Sequence, residues 1–150
     1  MADYATRARG VRADAAAVVI LDQTSLLHGD EVNPDAPVPE ANQVAMLMFG
    51  GPGDAVSMVE MHAGVSPDDA GAELTPEPGT MTVVGGGFAA ASGIRPVSNV
   101  VVAPAGLPCT GLWVEVAQGW EKWRSDGYSR VVVVDYDPTL RILGRCVIEL

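Results

Sequence analysis

Two histidines, two cysteines and nineteen carboxylates are the residues of this 150-residue chain from which catalysis could be built. Nucleophilic catalysis by serine needs a histidine base oriented by a carboxylate. Only His28 and His62 are available as bases, and no G-x-S-x-G turn accompanies them. Cys109 and Cys146 do not form a C-x-x-C pair. Cys146, in the run Cys146-Val147-Ile148, reads as a small buried hydrophobe rather than a reactive thiol. Gly85-Gly86-Gly87 is not followed by Gly-Lys-Ser/Thr, and no helix start is evident after it, so it is not a phosphate loop. Hard oxygen ligands for calcium occur at Asp30, Glu31, Asn33 and Asp35, and again at Asp68, Asp69 and Glu73. Neither group has the spaced D-x-[DN]-x-[DN]-G pattern, and Pro34 and Pro67 stiffen both. They read as solvated acidic loops, so no catalytic residue, cofactor or resident metal is expected.

Charge says more. Between Arg12 and Arg95 there is no lysine or arginine, while Asp14, Asp22, Asp30, Glu31, Asp35, Glu40, Asp54, Glu60, Asp68, Asp69, Glu73 and Glu77 all lie in that stretch. The formal net charge of -10 therefore comes from one segment. Such a surface repels polyanions and favours basic partners, which argues against nucleic acid. Arg7, Arg9 and Arg12 precede the acidic body as a basic arm able to dock on an acidic surface.

The third chemical feature is aromatic. Trp113, Trp120 and Trp123, the only lysine (Lys122) and Tyr128 all fall within sixteen positions. Exposed tryptophan and tyrosine present rigid faces that fill a partner's pockets or stack on sugars. Alternatively they cap one end of the core. Protein contact fits this mixture of apolar anchors and charged rim better than sugar does.

These residues must be positioned by a chain long enough to bury one core. With 48% apolar residues and no apolar run able to span a bilayer, a single domain over 14–150 behind an arm at 1–13 is expected. The arm lacks the apolar stretch of a secretory signal, so a cytoplasmic product is the default. Ala15–Asp22, Gln43–Phe49, Ala55–His62, Thr80–Val84, Ser98–Ala103, Gly111–Ala117, Tyr128–Asp135 and Leu140–Ile148 read as strands. Gly50-Gly51-Pro52-Gly53-Asp54 reads as the turn of a hairpin. Prolines at alternate positions force His28–Glu40 into an extended loop, and Ser66–Gly79 is a second acidic one. Trp113, Val116, Trp120 and Trp123 have the spacing of one helix face, but Gly119 costs a helix about 1 kcal/mol there. A strand, a tryptophan-bearing loop or single turn, and another strand are expected instead.

Glu60 and His62 on a strand, with Pro78-Gly79 before the next strand, resemble part of the cupin pattern. Cupins carry a His-x-His pair, a downstream glutamate and a further histidine. Only Glu60 and His62 fall on any part of that pattern, so the resemblance implies a jelly-roll-like double sheet without its metal site. About eight strands with long Pro/Gly-rich acidic loops give the expected fold class: all-β, an antiparallel β-sandwich or jelly-roll-like barrel with an N-terminal extended arm. The expected function is a non-enzymatic assembly protein. It would be a bacteriophage virion component (head-decoration, connector or tail protein) contacting copies of itself or other particle proteins through Arg7, Arg9, Arg12, Trp113, Trp120, Trp123 and Tyr128. The alternative is a carbohydrate- or peptide-binding β-sandwich module using segment 113–128. Neither expectation involves a membrane.

Overall fold

Four valines in a row, Val131 to Val134, are all buried, none more than 6% exposed. A strand half-covered by solvent alternates; a strand covered on both faces does not. In the computed structural model, which describes residues 16–22, 43–49, 56–72, 74, 77–107 and 110–150, this run lies in a sheet with helices on both faces. The expected all-β sandwich is therefore corrected: the chain is α/β.

The described elements, in chain order, are β1 (Ala16–Asp22), β2 (Gln43–Phe49), β3 (Val56–Ala63), α1 (Pro67–Ala72), β4 (Thr80–Val84), α2 (Gly86–Ser92), β5 (Val100–Val102), α3 (Gly111–Ser125), β6 (Arg130–Asp137) and β7 (Ile142–Glu149). Strands β3 to β7 form one mixed sheet in the order β3-β7-β6-β4-β5, and β1 pairs with β2 in a separate two-stranded ribbon. Strand β4 is parallel to both β5 and β6, whereas β6-β7 and β7-β3 are antiparallel. Parallel neighbours require crossover connections, and α2 and α3 supply them.

The two crossovers lie on opposite faces. Residues Met81, Val83, Val131 and Val133 meet Leu112, Val116 and Trp123 of α3 in one cluster. The alternate residues Val84, Val132 and Val134 meet Phe88 and Ala89 of α2, with Ala70 of α1, in the other. Period-2 alternation thus divides each central strand between two cores.

Three sequence expectations fail here for identifiable reasons. Gly111–Ala117 is not a strand but the start of a fifteen-residue helix. Gly119 is compatible with that helix because the indole of Trp123 lies against its Cα, where a Cβ would collide. The glycine counted against the helix is thus what lets the tryptophan pack. The helix ends at Gly127, whose φ of 88° favours glycine. There the Tyr128 N–H donates to Trp123 O and the Gly127 N–H to Arg124 O, the two bonds of a Schellman motif. Secondly, a helix does start at the triple glycine, where no helix start is evident in the sequence: Gly86–Ser92 is α2, with Gly85 as its N-cap. Thirdly, β2 and β3 are not hairpin partners, since β2 pairs with β1 and β3 with β7. The turn proposed at Gly50–Asp54, the loop at His28–Glu40 and the arm at 1–13 lie outside the described residues. In the second acidic loop, Pro67–Ala72 is helical, begun by Ser66, whose Oγ accepts from the Asp69 N–H at 3.2 Å.

Candidate functional site

The predicted aromatic site is the buried side of α3. Trp123 is 5% exposed and belongs to the core, with Trp113, Trp120 and Tyr128 half-buried against it. The Tyr128 hydroxyl donates to Ser98 O at 3.3 Å, tying the β6 approach to the segment before β5. Spacing i, i+3, i+7, i+10 brought these rings together as one helix face, and that face is turned to the sheet. The charged residues that α3 presents to solvent are Glu121, Lys122 and Arg124, with Lys122 paired to Asp126 and Arg124 3.9 Å from Glu121. Arg7, Arg9 and Arg12 lie outside the described residues, as does Cys109.

Carboxylates of the basic-free stretch meet arginines from the end of the same chain. Glu60 on β3 stands opposite Arg145 on β7, with Oε2 accepting from Nη1 at 3.3 Å. Glu77 is 3.9 Å from Arg130. Glu60 also lies 4.0 Å from His62, whose side chain is 57% exposed. The pair that resembled a cupin fragment thus belongs to an edge strand and its arginine neighbour, within a single mixed sheet rather than a jelly roll. Cys146 is buried, and burial pushes its thiol up to about 11, so it is inert at neutral pH.

Sequence reading missed Asp135. It lies near the carboxyl end of β6, opposite Gly144 on β7 and beside Gly85 at the end of β4. Its carboxylate occupies the space that a side chain at position 85 would need. Oδ1 accepts the Tyr136 N–H at 3.0 Å, and burial raises the pKa to about 6. The position has general meaning: in open α/β sheets the crevice beyond the carboxyl ends of strands, where connections diverge, is where ligands bind. After β4 the chain turns to α2 and β5, while after β6 it turns to β7, so the connections diverge between these neighbours. A carboxyl that titrates near neutrality can accept or donate a proton. Catalysis needs partners as well, and among the described residues no three of His, Cys, Asp and Glu gather as a metal site would require. The only signal for Asp135 in the sequence was an acid ending a run of four valines, with glycines on the strands that proved adjacent.

Arg141 is the other residue missed. Its φ of 54° is strained for a side chain with a Cβ. Asp137 Oδ1 accepts the N–H groups of Thr139 and Leu140, at 2.8 and 2.9 Å, setting the β6-β7 turn. Arg141 then donates from Nε to Val65 O and from Nη2 to Gly64 O, at 3.3 and 3.2 Å, and these bonds offset the strain by fastening the loop before α1.

Comparison of the chain with known protein families, with curated proteins and with solved structures found no match.

Proposed function

We propose that the chain is a non-enzymatic assembly subunit that makes homo-oligomeric contacts in a larger particle of the bacteriophage virion kind. One observation carries this reading. Among the described residues, Ala16–Asp22 and Gln43–Phe49 pair with each other and with no other strand, in a register that opposes Ala16 to Phe49 and Asp22 to Gln43. Both sets of alternate positions in both strands are apolar, except for the Asp22-Gln43 pair. A ribbon with one solvated face would alternate, so this composition calls for cover on both sides. Two strands by themselves are marginal in water. A second copy is the cover this reading assigns, and β3, at the edge of the five-stranded sheet among the described residues, is the strand such a copy could extend. The virion assignment rests on the basic arm ahead of an acidic body, which suits head-to-tail contacts between copies.

Sizing by light scattering tests the reading. The full chain and a variant lacking residues 1–13 are compared at high concentration and low salt. Oligomer in the full chain, reduced by the deletion or by Val19→Lys in the ribbon, is expected. A strict monomer in every form overturns the proposal. Mass spectrometry of purified particles from the producing host tests the virion assignment separately.

A further inference from the structure

Strand β3 bounds one side of the five-stranded sheet: it pairs with β7, and among the described residues no strand pairs with it on its other side. Edges of this kind invite another strand, and proteins that keep them apart place lysine, proline or a bulge there. Val56–Ala63 has neither lysine nor proline, and its bulge lies at the start, between Val56 and Met58. From Met58 to Ala63 the pairing with β7 is regular.

Two side chains of this regular stretch lack a cross-strand partner. Met61 is 65% exposed, and its neighbour directly across on β7 is Gly144, which has no side chain for it to pack on. Cross-strand side-chain pairs are what stabilise a sheet, so Met61 gains one only from a further strand on its other side. On the opposite face of β3, Glu60 Oε2 accepts from Arg145 Nη1 at 3.3 Å, which fixes the carboxylate along the edge. His62 lies on that same face, 4.0 Å from Glu60 and so beyond hydrogen-bond reach of it.

A second copy of β3 supplies both partners. When a two-fold axis normal to the sheet relates two antiparallel edge strands, like faces meet and the residue at the axis faces itself. With Glu60 at the axis, two carboxylates oppose each other, which is destabilising. With Val59 there, His62 is set against Val56, which is buried. With His62 there, the strand ends one residue past the axis. With Met61 there, Glu60 faces His62 of the second copy on both sides of the axis, Val59 faces Ala63, and Met61 packs on Met61. We propose that two copies of the chain join their sheets edge to edge through Val59–Ala63, antiparallel and centred on Met61. This rests on the homo-oligomeric reading above and names the contact.

The test uses single cysteines in the full chain, in a Cys109→Ser background that leaves the buried Cys146 as the only other thiol. Met61→Cys sets two thiols across the axis, where facing Cβ atoms are close enough for a disulfide. His62→Cys sets them two residues out of step. Under mild oxidation Met61→Cys should form covalent dimer at least about ten-fold faster than His62→Cys. The cross-link should persist when residues 1–13 are deleted, which tells this contact from one made by the arm. Met61→Lys opposes like charges at the axis and should weaken dimerisation at least about ten-fold in sedimentation. Its melting temperature at low concentration, where the chain is monomeric, should not change, because the side chain is exposed. His62→Glu, facing Glu60, should weaken dimerisation about five-fold, and His62→Lys should strengthen it by about the same factor. Cross-linking at position 62 in place of 61, or oligomer indifferent to Met61→Lys, overturns this contact and leaves the assembly reading standing. A strict monomer with no cross-link at either position overturns both.

Discussion

The two faces of the five-stranded sheet are built differently. Against the α3 face, Met81, Val83, Val131, Val133, Cys146 and Ile148 are closed over by one fifteen-residue helix carrying Leu112, Val116 and Trp123. The opposite face is covered by two short helices, the six residues of α1 and the seven of α2, and its strands show Thr80, Thr82 and Arg145 among the valines. The buried residues of one face form a single apolar cluster. The other mixes apolar cover with hydroxyls, a guanidinium and a recess. A long helix can bury an unbroken apolar stripe and drive folding, whereas two short ones leave gaps where polar groups reach water. Stability therefore concentrates on the α3 face, and short, separately anchored cover on the other.

The largest test of that contrast is Trp123→Ala. Removing a buried indole from the α3 face should cost about 3–5 kcal/mol, read as a fall in the denaturation midpoint. A second substitution sharpens it. Gly119→Ala in the parent adds a Cβ where the Trp123 ring lies, so displacement of the ring should outweigh the better helix propensity and destabilise by about 1–3 kcal/mol. In the Trp123→Ala background the obstacle is gone, and the same change should stabilise by about 1 kcal/mol. Equal effects in both backgrounds would mean that the glycine does not serve the tryptophan, and that the closure of this face is misattributed.

How much of this was legible depends on which signal was read. Thr80–Val84 is a strand with the bounds its composition set, and β1, β2, β3, β6 and β7 fall within two residues of theirs. The number of β-rich runs suggests an all-β class, whereas their pattern points to α/β. Val83-Val84, Val100 to Val102 and Val131 to Val134 are unbroken β-branched runs, the mark of parallel strands covered on both faces. Parallel strands then demand helical crossovers, and the Trp113-Val116-Trp120-Trp123 spacing was one. Gly119 speaks against that helix on local propensity, because the packing that makes glycine useful there is invisible without the fold. The same holds for the site. The spacing of Glu60 and His62 was legible, but the partner of Glu60 lies 85 residues away and is set by β3-β7 register. Asp135 has its carboxylate against Gly85 and stands opposite Gly144, neighbours that no local reading could have set beside it.

Asp135 gives an intermediate effect, since it lies on the α3 face at the carboxyl ends of β4 and β6. Its folded pKa of about 6 is above the ordinary 3.8 because burial disfavours the charged form. Below the ordinary value the group is protonated both folded and unfolded, so it costs nothing. As pH rises from 3.8 through about 6, the unfolded chain releases the proton first and stability falls. Above that window the penalty is fully present, about 1–3 kcal/mol once partial solvent access is allowed for. Asp135→Asn has no such charge. Urea unfolding near pH 4 and near pH 8 should show the variant gaining on the parent by that margin at the higher pH. A parallel shift at both pH values would remove the buried-charge explanation.

The smallest effect belongs to the other face, and it concerns cooperativity more than free energy. Ser66 starts α1 by accepting the Asp69 N–H, and its own hydroxyl donates to the Asp69 carboxylate. Ser66→Ala removes this cap, at about 0.5–1 kcal/mol for helix N-caps in general. If the polar face is secured by short, separately anchored pieces, that loss should appear locally. Amide exchange at Ala70 would accelerate several-fold, while exchange at Val83 and Val133 in the central strands stays within error. Ala70 is fully buried against the sheet, so its N–H, bonded to Ser66 O at 2.9 Å, reports opening of α1 itself. Equal acceleration at all three amides would mean that α1 unfolds only with the whole sheet. The two faces would then form one cooperative unit, and the contrast between a stabilising face and an accessible one would fail.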